Sequence, residues 1–130
     1  MRGSIAVACV GIALTAASAA SAQTPNISGV WHVNGRARYG AVWASATPTC
    51  TFRQVGGRLS GICVGPAARG PLSGAIAGTR VSWTWSHVAT RPGGVSGDTQ
   101  FNGIYVNSRL IRGSMIAPPV PGSGSFTQTR

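Results

Sequence analysis

Residues 49–64 read TCTFRQVGGRLSGICV, and their arithmetic decides the fold. Gly56-Gly57 joins two residues that tolerate the positive φ of a two-residue hairpin turn. Folding the stretch about that turn sets Gln54 against Leu59, Phe52 against Gly61 and Cys50 against Cys63. Counted out from the turn, the cysteines form a non-hydrogen-bonded pair. Such pairs hold their Cα atoms about 4.5 Å apart, within bridging range. Turn chemistry and cysteine register therefore agree on one antiparallel hairpin closed by a disulfide.

Working outward, the same punctuation recurs. Gly78-Thr79 and Asn107-Ser108 are further two-residue turn candidates. Short alternating apolar runs flank them, and no stretch after Gln23 repeats apolar residues at i, i+3, i+4. The spacing predicts eight strands, roughly at 28–34, 48–55, 58–64, 71–77, 80–88, 99–106, 109–116 and 124–130. Tight turns then alternate with longer connections at about 35–47, 65–70, 89–98 and 117–123. In an up-and-down meander this gathers the tight turns at one end and the loops at the other. Closing the sheet on itself removes its exposed edges. The expected fold is all-β: an eight-stranded antiparallel up-and-down barrel. Val81, Trp83, Trp85 and His87 share the face of one strand that should point inward. For 99–106 and 109–116, Phe101 and Tyr105 oppose Ile104 and Val106, and period two leaves the inward face open. A membrane barrel is the rival architecture. Strands of about seven residues fall short of the roughly 9–11 needed to cross, and Thr51, Arg53, Ser82, Thr84 and Ser86 make outward positions polar.

The beginning of the chain has a different character. Met1-Arg2 precedes an apolar run from Ile5 to Ala17, and small residues end in Ala20-Ser21-Ala22. This is the pattern of a secretory signal peptide cleaved before Gln23. The expected domains are a leader over 1–22 and a single barrel over 23–130. Cys9 leaves with the leader, so Cys50 and Cys63 remain as one disulfide, in keeping with a periplasmic or secreted protein.

The domain opens Ile27-Ser28-Gly29-Val30-Trp31. This Gly-x-Trp at the head of the first strand resembles the lipocalin and wider calycin pattern. Leu59-Ser60-Gly61, Leu72-Ser73-Gly74 and Phe101-Asn102-Gly103 also look like avidin-type meanders. The resemblance implies that Gly29 and Trp31 close the base of the barrel and that an arginine packs on the indole. Arg130, at the end of the last strand, is the candidate. It also implies binding of a small apolar or amphipathic ligand. The motif covers only Gly29, Trp31 and Arg130; no biotin-binding constellation carries over, and the chain lacks room for a lipocalin's C-terminal helix.

Composition excludes much chemistry. All 11 basic residues are arginine, and Asp98 is the single acid, for a net charge of +10. One carboxylate cannot form a glycosidase pair or a calcium cage. His32 and His87 with so few cysteines leave no convincing zinc set. Gly93-Gly94 has no helix after it, so it is no phosphate loop. Neither an enzyme, a metal site nor a cofactor is expected, nor specific nucleic-acid recognition or a membrane span. Two function classes remain. In the first, Trp83, Trp85 and His87 climb the inner wall toward the loop end, and Trp43 and Tyr39 from the first long connection cover it, forming a ligand site. In the second the core is filled, and the protein is a cationic interaction protein of the envelope. Arg58, Arg80 and Arg109, each following a tight turn, then gather at one rim to bind anionic lipid, polysaccharide or a protein partner.

Overall fold

The computed structural model describes residues 23–118 and 122–130, so the expected leader over 1–22 lies outside the described residues. Nine strands follow one another: β1 (Gly29–Tyr39), β2 (Val42–Ala46), β3 (Thr49–Val55), β4 (Arg58–Val64), β5 (Ala68–Ala77), β6 (Arg80–Ala89), β7 (Gly97–Asn107), β8 (Leu110–Ala117) and β9 (Gly122–Thr129). All pairings are antiparallel, and β9 pairs with β1 from Ser123↔Arg38 to Thr129↔His32, which closes the cylinder. β2 and β3 occupy one position in the wall. Tyr39↔Val42 and Gly35↔Ala46 in the first run on in register to His32↔Thr49 and Gly29↔Phe52 in the second. Only Thr47-Pro48 interrupts them, since proline has no N–H to give the ladder; its carbonyl still accepts from Val33 N at 2.9 Å. The barrel is therefore eight-stranded.

The hairpin read from residues 49–64 forms with the expected partners: Gln54↔Leu59, Phe52↔Gly61 and Cys50↔Cys63. The cysteines are disulfide-bonded, with Cα atoms 4.0 Å apart. Gly56 and Gly78 take φ of +61° and +58° in their turns, the left-handed region that glycine enters without cost.

Three expectations are corrected. Residues 35–47 are not a long connection: they form the end of β1, a two-residue turn at Gly40-Ala41 and all of β2. Tyr39 and Trp43 are accordingly strand residues. Small side chains cause the difference, because β1 buries Gly35 and Ala37 in its upper half where a large apolar residue would have announced a strand. Second, β5 begins at Ala68, which reduces the connection before it to residues 65–67. Third, the β7–β8 turn is Ser108-Arg109, one residue later than expected, because a bulge between Tyr105 and Asn107 shifts the register. Arg109 therefore sits in its turn, whereas Arg58 and Arg80 begin their strands.

Strands also run longer than expected, with 11 residues in β1 and β7 and 10 in β5 and β6. Length alone thus no longer separates this barrel from a membrane barrel. Ser82, Asn102, Ser114, Ser125 and Arg36 stand in register across five strands of the outer wall. Large apolar residues fill the inside. The outer wall also carries exposed apolar residues, among them Val30, Ile62, Val64, Val88, Ile104 and Ile116.

Phe101 settles the open inward faces: it is fully buried on β7, as are Ile111 and Met115 on β8, while Ile104 and Val106 are exposed. Aromatic rings fill the middle of the cylinder. Trp83 stacks on Phe101 at 4.1 Å between centroids. Phe52 meets Trp83 edge-on, and Phe126 meets Phe101 edge-on, each at 5.0 Å. Such pairs add about 0.5–1.5 kcal/mol beyond their area burial. Gln128 is fully buried in register with Val33 and Ile111, and its carboxamide has no partner among the described residues.

The tight-turn end is sealed. Residues 24–28 cross beneath the barrel, where Ile27 is fully buried. Ile27 N donates to Gln54 Oε1 at 2.8 Å, and Gly78 N donates to Thr24 Oγ1 at 3.2 Å. Trp31, also fully buried, donates its indole N–H to Ile27 O at 2.9 Å. Arg130 lies over the Trp31 ring with Cζ 4.3 Å from the centroid, and it donates to Ser28 O and Ser108 O, each at 2.8 Å. Gly29 has a φ of +124°, and a Cβ there would come 3.4 Å from Arg130 Nη1. The glycine of Gly-x-Trp thus turns the chain upward from the base at a point where the arginine also presses close.

Candidate functional site

Sealing the base leaves the other end as the way in. Above the aromatic layer lies a cavity of about 270 Å3, lined by Ala37 and Tyr39 of β1, Ala68 of β5, Trp85 and His87 of β6, Thr99 of β7 and Met115 of β8, among others. It exists because its upper wall is built of small residues. Ala44, Ala46, Gly65, Ala67, Gly93, Gly94 and Ala117 reach little into the space, whereas Trp83, Phe101 and Phe126 fill the level below.

Strand alternation aims the polar groups. His87 follows Trp85 by two residues on β6, so both face inward, and their rings lie 4.2 Å apart. His87 is held from both sides. Its Nδ1 is 2.6 Å from Val95 O, which can only accept, so this nitrogen carries the proton. Its Nε2 is 2.9 Å from Thr99 Oγ1; in the neutral ring Nε2 accepts, and the threonine hydroxyl donates. The residues between β6 and β7 are thereby tied to the wall through an imidazole. Tyr39 donates its hydroxyl to Pro118 O, which fixes the start of the β8–β9 connection. Burial pushes the Tyr39 hydroxyl above its ordinary pKa of 10.0 by disfavouring the phenolate. The indole N–H of Trp85 is buried without a partner among the described residues. A buried donor left unpaired costs roughly 1–3 kcal/mol.

The residues singled out in the sequence thus separate into groups. Tyr39, Trp85 and His87 come together at the cavity. Trp83 lies beneath it in the aromatic layer, and its indole N–H is also unpartnered among the described residues. Trp43 is outside, on the outer face of β2, with the guanidinium of Arg36 4.5 Å above its ring and that of Arg38 at 5.7 Å. Gly29, Trp31 and Arg130 meet at the base. Arg58, Arg80 and Arg109 are exposed at that same end. His32, facing outward on β1, lies 3.3 Å from Thr49 Oγ1.

Thr99 and Met115 are site residues that the sequence reading missed. Thr99 stands two residues before Phe101 on one face of β7, so knowing that face would have revealed it. Among the described residues no group of His, Cys, Asp or Glu is arranged to hold a metal ion, and no helix is long and apolar enough to cross a membrane. No family model matches the chain, and no curated protein is detectably similar to it.

Proposed function

We propose that this is an exported, non-catalytic, lipocalin-like carrier that takes a small apolar or amphipathic molecule into the open end of its barrel. The observation that carries the reading is the cavity: an aromatic floor, mostly apolar walls and a few polar atoms on one side. That composition suits a ligand held by burial and oriented by one or two hydrogen bonds. Its size narrows the class. About 270 Å3 equals about nine water volumes of liquid and falls below the roughly 300–1,000 Å3 of drug-sized sites. A compact molecule fits, or the apolar end of a longer amphiphile whose polar head stays at the mouth. The Trp31–Arg130 closure supports the kinship in architecture, and the disulfide supports an oxidising compartment, periplasmic or extracellular.

Titrating 1-anilinonaphthalene-8-sulfonate and fatty acids of graded length, followed by tryptophan emission, tests the reading. Saturable binding at one site is expected. Ala68→Leu, which fills the cavity, should weaken it at least tenfold while the circular dichroism stays unchanged. Indifference to every probe, or equal binding by the Ala68→Leu protein, refutes the reading. Mass spectrometry of the exported chain should find its first residue at Gln23.

A further inference from the structure

We propose that the β1–β2 hairpin docks the barrel, mouth first, onto an anionic phospholipid surface. The inference does not depend on what the cavity holds; it rests on the outside of the hairpin. Trp43 is 50% exposed, although a tryptophan gains most from burial, and Val42, at the rim on the inner face opposite Tyr39, is 64% exposed. The outer face carries Arg36 and Arg38, both stacked toward the same indole. The cross-strand row through Trp43 continues to Arg38, Ser123 and Ile116, and Ile116 is 45% exposed. Apolar and cationic side chains are thus interleaved on one corner of the mouth.

No carboxylate balances them. The single acid, Asp98, lies opposite Ser86 on the far pair β6–β7, with β8 and β9 between it and β1. Arg38 spends its Nε–H on Gly40 O at 2.6 Å, which holds its side chain beside the turn. The hairpin also has a bare edge. β2 pairs with β1 alone above Thr47. Because Val33 N donates to Pro48 O, the alternation of an antiparallel ladder gives Ala46, Ala44 and Val42 the bonds to β1. The main-chain groups of Trp43 and Ser45 therefore face outward, unpaired within the sheet.

Each of these features fits the headgroup layer of a bilayer. Tryptophan settles at that depth with one face apolar and one end wet. Guanidinium groups fork onto phosphate oxygens, and an anionic leaflet attracts such groups electrostatically. The charged side chains of this corner are all cationic, and they complement the phosphate headgroups of an anionic leaflet.

The test is co-sedimentation of the full protein with phosphatidylcholine vesicles, with and without phosphatidylglycerol, alongside tryptophan emission. Trp31, Trp83 and Trp85 are buried, so a blue shift on binding reports Trp43. We expect binding only to the phosphatidylglycerol vesicles. Arg36→Gln/Arg38→Gln should lower partitioning about 25-fold, from about fivefold per arginine near a charged surface. Trp43→Ser should abolish the shift. Arg58→Gln/Arg80→Gln removes the same charge at the closed end and should change partitioning less than about threefold. An equal loss from both pairs, binding without preference for phosphatidylglycerol, displacement by inorganic phosphate at constant ionic strength, or retention on heparin but not on vesicles would each overturn the proposal.

Discussion

Arg130→Ala tests how the barrel is closed. The guanidinium stacks on Trp31 at 4.3 Å and donates to two main-chain carbonyls at 2.8 Å. Ser28 O belongs to the segment beneath the barrel and Ser108 O to the β7–β8 turn, so one side chain joins three parts of the base. A cation on an indole at a partly exposed site contributes about 1 kcal/mol. Each charge-assisted hydrogen bond, discounted for solvent because Arg130 is exposed, adds about 0.5–1 kcal/mol. The loss should total about 2–3 kcal/mol, or roughly 10–20 °C in Tm for a domain of this size. Urea unfolding followed by tryptophan emission measures it. Arg130→Lys keeps the charge but not the planar fork and should recover less than half. Combining Arg130→Ala with Trp31→Leu should reveal about 1 kcal/mol of coupling in a double-mutant cycle. An Arg130→Ala protein within about 0.5 kcal/mol of wild type would refute the idea that this residue closes the base.

Three further outcomes are expected. Replacing both Cys50 and Cys63 by alanine should cost about 3 kcal/mol by the chain-entropy relation for so short a loop, read as a lower urea midpoint. Tyr39→Phe should be less stable than wild type at neutral pH, because Pro118 O loses its donor. The folded-state pKa of Tyr39 is raised, so its contribution is present in full below the unfolded value of 10.0 and fades as pH rises beyond it; the difference between the two proteins should therefore shrink in alkaline unfolding curves. Gln128→Leu should leave stability unchanged or raise it by about 1 kcal/mol, since it removes a buried carboxamide without a partner. A loss above about 1 kcal/mol would show instead that a buried water satisfies that amide.

The features legible in the sequence were those set by residues with few alternatives. A glycine pair between alternating runs placed the β3–β4 turn, and Cys50 and Cys63 fixed its register independently. Gly29, Trp31 and Arg130 pointed to the base only through the resemblance of Gly-x-Trp to the calycin pattern. What escaped notice was whatever depended on small side chains. Gly35 and Ala37 line the inside of β1 without an apolar signature, so its upper half read as a loop. At Gly35 the reason is spatial: a Cβ there would come 2.5 Å from Met115 Sδ. The cavity was invisible on the same grounds, being defined by the side chains that alanine and glycine lack. The faces of β7 and β8 were ambiguous because β7 carries large apolar residues on both sides: Phe101 and Tyr105 point inward, whereas Ile104 and Val106 are exposed. His87 was read correctly as inward-facing, but Val95 O and Thr99 Oγ1, which hold it, come from a connection and a neighbouring strand that no local pattern links to it.

The guanidinium of Arg130 touches the carbonyl of Ser28, so the first and the final strand of the cylinder begin and end at nearly the same point. A short linker there would convert the barrel into a covalent ring, and the ring could be cut elsewhere. Opening it between β6 and β7, at residues 90–96, would make β7 the leading strand while preserving every neighbour in the wall. For this architecture the order in which the strands are synthesised is separable from the order in which they pair.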